Sequence, residues 1–125
     1  MITIDYQSRD PIYEQIVERF QMLILTGALP AGSQMPSVRT LAMELSINPN
    51  TIQKAFAVLE QQGYIFSVKG RGSYVAESDR LIQQKRESCI TELTGLLTHA
   101  LEIGVPENNL HELITQVYHK EVSHD

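Results

Sequence analysis

The sequence predicts an α+β fold that is mostly α-helical and consists of an N-terminal domain followed by a helical C-terminal arm. Three observations predict it. Apolar residues recur at helical spacing in three separate segments before residue 62. Two short β-rich segments then flank a glycine-rich turn between residues 64 and 76, and wider helical stripes follow from Asp79 onward. We therefore expect the domain to span residues 1–78 and the arm to span residues 79–125.

The first helix is expected to begin at Asp10 and Pro11, because aspartate is a good cap and proline suits the first helical position. Its apolar stripe consists of Ile12, Ile16, Phe20, Leu23 and Ile24. Thr26 and Gly27 are expected to end the helix, and residues 29–32 have the composition of a turn. The segment is therefore expected to be amphipathic, with this stripe buried in the domain.

Two further helices are predicted at short separation. Residues 34–36 are expected to be extended, since the residue before a proline avoids the helical region. Ser37 is a good cap for the second helix. The apolar stripe of this helix consists of Val38, Leu41, Ala42 and Leu45. After a short break, Asn48 and Pro49 begin the third helix, and Gly63 ends it in the left-handed conformation. Helices joined this tightly indicate either a helix-turn-helix or an ordinary helical corner.

The third helix has an unusual polar face. Its apolar stripe consists of Ile52, Ala55, Phe56 and Leu59, and the residues that point the other way are Asn50, Gln53, Lys54, Ala57 and Gln61. This outward face carries amides and one cation, with no carboxylate until Glu60 on the flank. Amide and cationic groups near a helix N-terminus suit the base edges of a DNA groove. Capping and simple solvent exposure are the alternative interpretation.

A hairpin is predicted directly after the third helix. Two β-rich segments, residues 64–68 and 73–76, flank the turn Lys69-Gly70-Arg71-Gly72. The glycines of this turn allow a close approach to another surface, and its two cations suit phosphate or a narrow minor groove. A plain hairpin loop would have a similar composition. A helix-turn-helix followed by a hairpin, in this order, predicts a winged helix.

The arm is expected to form two helices separated near Gly104 and Pro106. Two helices with stripes this wide cannot bury them against one another alone, so they either fold back on the first helix or pair with a second subunit. We expect a homodimer. The residues expected at its interface are Ile82, Cys89, Ile90, Leu93, Leu96, Leu97, Leu101, Leu110, Leu113, Ile114 and Val117.

The charge of the chain is unevenly distributed. The formal net charge is −5, which is not typical of a nucleic-acid-binding protein. Residues 79–125 contain four Lys or Arg against eight Asp or Glu, whereas residues 35–76 contain four against two. A locally positive face on an acidic protein is a modest signal for DNA binding.

The composition also limits the other classes of function. The single cysteine, Cys89, cannot form an internal disulfide, so a reducing cytoplasm is expected and the thiol is interpreted as a small buried apolar residue. No apolar run approaches the ~20 residues that cross a bilayer, and the start of the sequence does not resemble a signal peptide. The four histidines have weak metal-ligand spacing, and neither a phosphate-cradling loop nor a nucleophile elbow is present. No enzyme activity, metal or cofactor is expected.

Several strings in the N-terminal domain are distinctive. They lie at residues 11–16, 35–42, 48–51, 63–65 and 70–75. The string Pro-Ser-x-Arg-x-Leu-Ala from Pro36, together with the later wing glycines, resembles the GntR family of bacterial transcription regulators. The string Asn-Pro-Asn-Thr from Asn48 and the short arm resemble its YtrA-type branch. The resemblance implies an N-terminal winged helix that binds double-stranded operator DNA as a dimer. We expect this dimer to present two recognition helices to successive major grooves of an imperfect palindrome and to act as a repressor.

The resemblance also implies roles for particular residues. Arg39 matches the family arginine that reaches a guanine edge, where bidentate contact to O6 and N7 is the physical reason. The start of the recognition helix touches bases or phosphates in the family, and the wing tip enters the minor groove. With the polar face described above, the expected DNA-binding set is Ser37, Arg39, Asn48, Asn50, Thr51, Gln53, Lys54, Lys69, Gly70 and Arg71. Lys54 fits simple solvation equally well. Pro49 stands where some relatives have an arginine, so the DNA sequence preference should differ.

Two alternative functions stay open at this point. One is a winged-helix module that binds a protein rather than DNA, and the other is a regulator gated by a small ligand at the dimer interface. Most family members carry a much larger C-terminal effector domain, and we expect residues 79–125 to be too few to enclose a separate ligand pocket. Tyr118 and the histidines of the arm do not identify a ligand.

Overall fold

The computed structural model describes residues 1–122, with side chains through Lys120. Residues 123–125 of the expected arm therefore lie outside the described part. The elements in chain order are α1 (Ile12–Leu25), α2 (Val38–Leu45), α3 (Pro49–Gln61), β1 (Ile65–Val68), β2 (Gly72–Val75), α4 (Asp79–Glu102) and α5 (Glu107–Val122). The prediction of a mostly helical fold with one small hairpin, in winged-helix order, is confirmed. The chain divides into two compact units, of which the first ends at Gln84 and the second begins at Lys85.

The first unit is organised around α3. Helices α1 and α2 and strand β1 all contact α3, and the apolar stripe predicted for α3 is buried. Phe20 of α1 meets Phe56 of α3 edge-on, with the ring centroids 5.7 Å apart. The largest fully buried side chains are Phe20, Ile16, Ile24, Leu41, Ile52, Leu59 and Val75. Burying one face of α3 in this core leaves its polar face exposed.

The start of α1 differs from the prediction. The helix begins at Ile12, Pro11 occupies the cap position, and no side chain caps it. The carbonyl of Asp10 instead accepts a hydrogen bond of 3.1 Å from Nε2 of Gln15, which also bonds the carbonyl of Asp5 at 2.9 Å. Gln15 is buried, and a buried amide needs such partners. The N-terminal segment is therefore held by Gln15 rather than by an aspartate cap.

The helix-turn-helix follows the predicted local signals. Oγ of Ser37 accepts a hydrogen bond from the amide of Thr40 at 3.0 Å, and Oδ1 of Asn48 accepts one from the amide of Asn50 at 2.9 Å. Gly63 adopts φ +88° just after α3, as predicted. The turn between α2 and α3 contains no glycine; Ser46 adopts the left-handed conformation there, with φ 55°.

The wing is a two-stranded antiparallel hairpin extended by a third segment. Strands β1 and β2 pair from Ile65 opposite Val75 to Val68 opposite Gly72, which leaves residues 69–71 as the loop. Residues 32–35 run beside β2. Three main-chain hydrogen bonds of 2.8 Å connect them, from Gly32 N to Val75 O, from Val75 N to Ser33 O and from Met35 N to Ser73 O. The segment before α2 is therefore extended, as predicted, and it is attached to the wing.

The second unit contains most of α4 and all of α5. No residue of α4, which lies entirely in the described part of the chain, is buried. Cys89 is exposed, so the interpretation of this thiol as a buried apolar residue is wrong for the protomer, in which the fully described helix α4 buries no side chain. Among the residues expected at the dimer interface, Ile82 and Leu110 are half-buried and the others are exposed. Across residues 1–122, no helix combines the length and the apolar character needed to span a membrane.

Candidate nucleic-acid interface

The structure presents the predicted DNA-binding residues on the surface of the first unit. Thr51 is half-buried, and the other nine are exposed. On α3, the residues predicted to point away from the core are all exposed, namely Asn50, Gln53, Lys54, Ala57 and Gln61. The outward amide face is therefore confirmed as a surface, and its contact with DNA stays a prediction.

Arg39 occupies a position that does not favour folding. It is the second residue of α2, its side chain is exposed, and the first turn of this helix contains no acidic residue. The N-terminus of a helix carries a partial positive charge, so a cation there is unfavourable. Because the arginine does not stabilise the helix that carries it, its position favours a role in binding a negatively charged or electron-rich partner.

The start of α2 and the tip of the wing line one cleft. Its volume is about 200 Å³. Ser37 and Arg71, both members of the predicted set, line it together with Gln34, Ser73 and Phe56. The structure thus brings together two predicted residues that are far apart in sequence. The Arg71 guanidinium group is a donor suited to phosphate oxygens, whereas the Ser37 hydroxyl donates to Oγ1 of Thr40 at 2.8 Å.

Lys54 has a partner that the sequence did not reveal. Its Nζ atom lies 3.9 Å from the centroid of the Tyr13 ring on α1. A lysine at this distance from an aromatic face is held by a cation–π attraction of about 0.5–1 kcal/mol at an exposed site. In this conformation its charge connects α3 to α1, which differs from both simple solvation and phosphate contact. A phosphate contact for Lys54 stays a prediction.

The wing tip is held from two sides. The amide of Arg71 donates to the carbonyl of Val68 at 2.9 Å and closes the loop. Near the loop end of β1, the amide of Ser67 donates to Oε1 of Glu60 at 3.0 Å, so the end of α3 holds this strand. On the other side, Nε2 of Gln34 donates to the carbonyl of Arg71 at 2.8 Å. Lys69 and Arg71 are therefore displayed from a loop whose main chain is anchored to the helix-turn-helix.

Sequence reasoning missed Gln34, Glu60 and Tyr13 as parts of this surface. Gln34 and Tyr13 meet partners 37 and 41 positions away in the chain, which no local pattern encodes. Glu60 was noticed only as the first carboxylate beside the outward face. The short sequence distance between Glu60 and β1 was a weak indication of this contact, because an acceptor at the end of a helix can reach the strand that follows it closely.

The groups on this surface are suited to hydrogen bonding and to binding anions. It offers amide donors and acceptors on α3, guanidinium groups on α2 and the wing, and an ammonium group at the wing tip. Among the described side chains, no three His, Cys, Asp or Glu residues are grouped as metal ligands. Amides and guanidinium groups are the side chains that pair with base edges, while the wing cations suit the phosphate backbone.

The chain is similar in sequence and in fold to known proteins. The family model described as "Bacterial regulatory proteins, gntR family" matches residues 12–75. The chain is 40% identical over 119 residues to the HTH-type transcriptional repressor YtrA of Bacillus subtilis (strain 168), covering 94% of this chain and 92% of the relative. A solved GntR family transcriptional regulator from Listeria monocytogenes matches with a TM-score of 0.73 at 34% identity, covering 89% of this chain and 98% of that chain.

A solved complex with operator DNA also matches part of this chain. AraR(DBD) in complex with operator ORX1 has a TM-score of 0.55 at 28% identity and covers 60% of this chain and 96% of that chain. The family model spans α1 through the wing, and the Bacillus and Listeria relatives match most of the chain. This chain therefore belongs to the GntR family of bacterial regulatory proteins.

Proposed function

We propose that this protein is a homodimeric transcriptional repressor of the bacterial cytoplasm that reads a palindromic operator. The observation that carries the proposal is the exposed amide face of α3 beside a wing that displays Lys69 and Arg71. The names of the relatives support it, since the Bacillus protein is a transcriptional repressor and AraR(DBD) is seen with operator DNA. Repression would follow from a bound dimer that blocks RNA polymerase.

In this proposal, each part of the surface has its own role. The start of α3 enters the major groove, where Asn50 and Gln53 pair with base edges and Arg39 of α2 pairs with a guanine. The wing places its cations at phosphates or in the adjacent minor groove. Base contacts supply the sequence preference, and phosphate contacts supply most of the affinity that depends on salt. Pro49 removes one contact that an arginine makes in some relatives.

The second unit supports the homodimer. Large apolar side chains of α4 and α5 are exposed in the protomer, among them Leu96 and Leu101, which are 67% and 78% exposed. A groove of about 370 Å³ lies between α4 and α5, and most of its lining is aliphatic, including Leu97, Leu101 and Ile114. Soluble monomers rarely expose a contiguous apolar surface of this kind. A second copy offers the same side chains, so a self-complementary interface can bury both sets.

Selection of bound duplexes from a random DNA pool tests the proposal. The purified wild-type protein is expected to enrich one palindromic motif with two half-sites about one helical turn apart, or a multiple of that distance. Its affinity should fall steeply with added salt, since each phosphate contact contributes about −0.9 to the slope of log K against log salt. No enriched motif, or binding that salt hardly changes, would refute the proposal and favour a protein-interaction module.

A further inference from the structure

Gln34 lies at the junction between the wing and the helix-turn-helix. It is in the extended segment before α2, where it pairs opposite Tyr74 of β2. Met35, the next residue, is buried, whereas Gln34 is exposed. Successive side chains of an extended segment point to opposite faces. The segment thus inserts Met35 into the core and leaves the Gln34 amide on the outer side, next to the wing.

From this position Gln34 holds the wing tip by its main chain. Its Nε2 atom donates to the carbonyl of Arg71 at 2.8 Å, while the amide of Arg71 is held by Val68 within the hairpin. The two neighbours of Arg71 are Gly70 and Gly72, with φ values of 79° and 101°. Glycines in such conformations restrain the chain little. Gln34 therefore supplies a restraint from outside the hairpin, at the residue that lies between these two glycines.

The same segment leads directly into the base-reading part of the surface. Ser37, three residues after Gln34, caps α2, and Arg39 follows within the first turn. Gln34, Ser37 and Arg71 line the same cleft. The bond from Gln34 to Arg71 therefore links the wing tip to the segment that leads into α2.

We infer that Gln34 is a positioning residue for DNA recognition. It orders the wing tip in the free protein, so that Lys69 and Arg71 reach the DNA backbone or minor groove while Arg39 reaches the major groove. This inference rests on the proposed function. Gln34 contributes no charge and need not contact DNA, because it acts through the main chain of Arg71. Ordering a loop before binding reduces the conformational entropy that is lost on association.

A double-mutant cycle on the full chain tests this inference. The probe is the operator duplex that the wild-type protein selects from the random pool. Gln34→Met keeps the length and charge of the side chain but removes the donor. Gln21→Met is the matched control, because it removes another side-chain hydrogen bond, of 2.6 Å between Nε2 of Gln21 and Oε1 of Gln62. Each substitution is made in the wild-type protein and in a wing variant that carries Lys69→Ala and Arg71→Ala.

We expect Gln34→Met to weaken operator binding about three- to tenfold per protomer, the effect of losing one hydrogen bond. The salt slope should also become shallower, although no charge is removed, because the wing cations occupy their phosphate sites less often. In the wing variant, Gln34→Met should have almost no further effect, which is the signature of residues that act together. Gln21→Met should leave affinity and slope unchanged in both backgrounds.

Several results would overturn the inference. They are an equal loss in both backgrounds, a loss with an unchanged salt slope, and no loss in the wild-type background. If Gln34→Met lowers the unfolding temperature, Gln34→Ala, which also lacks the donor, replaces it in the double-mutant cycle. If the wild-type protein selects no duplex, the proposed function itself fails. If it selects one and the cycle shows no coupling, only the role of Gln34 fails.

Discussion

Replacing Arg39 with alanine is expected to change fold stability and DNA affinity in opposite directions. Arg39 is exposed at the N-terminal end of α2, where no acidic residue offsets its charge. A cation in this position opposes the helix dipole by about 0.3–1 kcal/mol, and alanine has the higher helix propensity. Arg39→Ala is therefore expected to raise the free energy of unfolding by about 0.3–0.5 kcal/mol.

The affinity for operator DNA should fall instead. A bidentate contact between a guanidinium group and a guanine contributes about 1–3 kcal/mol. This free energy corresponds to a loss of affinity of about 5- to 150-fold for each protomer. A dimer with one Arg39 at each half-site loses this binding free energy twice. The loss should be confined to the guanine that Arg39 reads. The salt slope should stay close to that of the wild-type protein, since a base contact releases no phosphate-bound counterion.

Fluorescence anisotropy titrations at several salt concentrations, combined with urea unfolding, measure both quantities. The matched control is Arg19→Ala, which removes the same charge from an exposed position on α1. This control is expected to bind the operator like the wild-type protein. Unchanged operator binding by a folded Arg39→Ala variant would refute the role assigned to this arginine. An equal loss of operator affinity in both variants would show that the effect comes from the change in net charge.

Three further predictions concern the dimer and the stability of the fold. Leu101→Asp should produce monomers in sedimentation experiments at micromolar concentration. Losing about 2 kcal/mol of apolar burial in each of two copies weakens association about a thousandfold. The control Met22→Asp, at an exposed position on α1, should stay dimeric. Ser37→Ala should lower the free energy of unfolding in urea by about 1 kcal/mol through loss of the α2 cap. Tyr64 is only 2% exposed, and within the described residues its hydroxyl has no hydrogen-bond partner, so Tyr64→Phe should raise the free energy of unfolding by about 1 kcal/mol. Burial also raises the pKa of the Tyr64 hydroxyl. This favours the neutral form in the folded state, so stability should fall as the pH rises above about 10, and Tyr64→Phe should remove this part of the alkaline loss.

Local signals in the sequence predicted the helix-turn-helix well. The caps at Ser37 and Asn48 and the left-handed Gly63 each depend on residues within one helical turn, so a short window of sequence contains the relevant interactions. The prediction of an Asp10 cap is wrong because the start of α1 depends on a contact outside such a short window. The Asp10 carbonyl is bonded by Gln15, a buried amide that also bonds Asp5, and tertiary packing therefore decided where α1 begins.

Contacts between distant segments were beyond the reach of sequence patterns. The Lys54 amine can contact solvent, phosphate or an aromatic ring. The packing of α1 against α3 places its Nζ atom 3.9 Å from the centroid of the Tyr13 ring. The bond from Gln34 to Arg71 depends on a strand-like pairing between segments that are almost 40 residues apart. Cys89 was misassigned because composition reports the preference of a residue type, whereas exposure depends on what covers the helix.

The cap of α3 has a consequence for how related regulators acquire new operators. Asn48 uses its side-chain oxygen to hold the amide of Asn50, so a substitution that abandons this bond destabilises the helix before it alters any base contact. Replacement by Ser, Asp or Thr retains a cap, which leaves few tolerated choices at that position. The hydrogen bonds described for α3 include none from the side chain of Gln53, which is exposed. Divergence of operator specificity is therefore expected to proceed through Gln53 more readily than through Asn48.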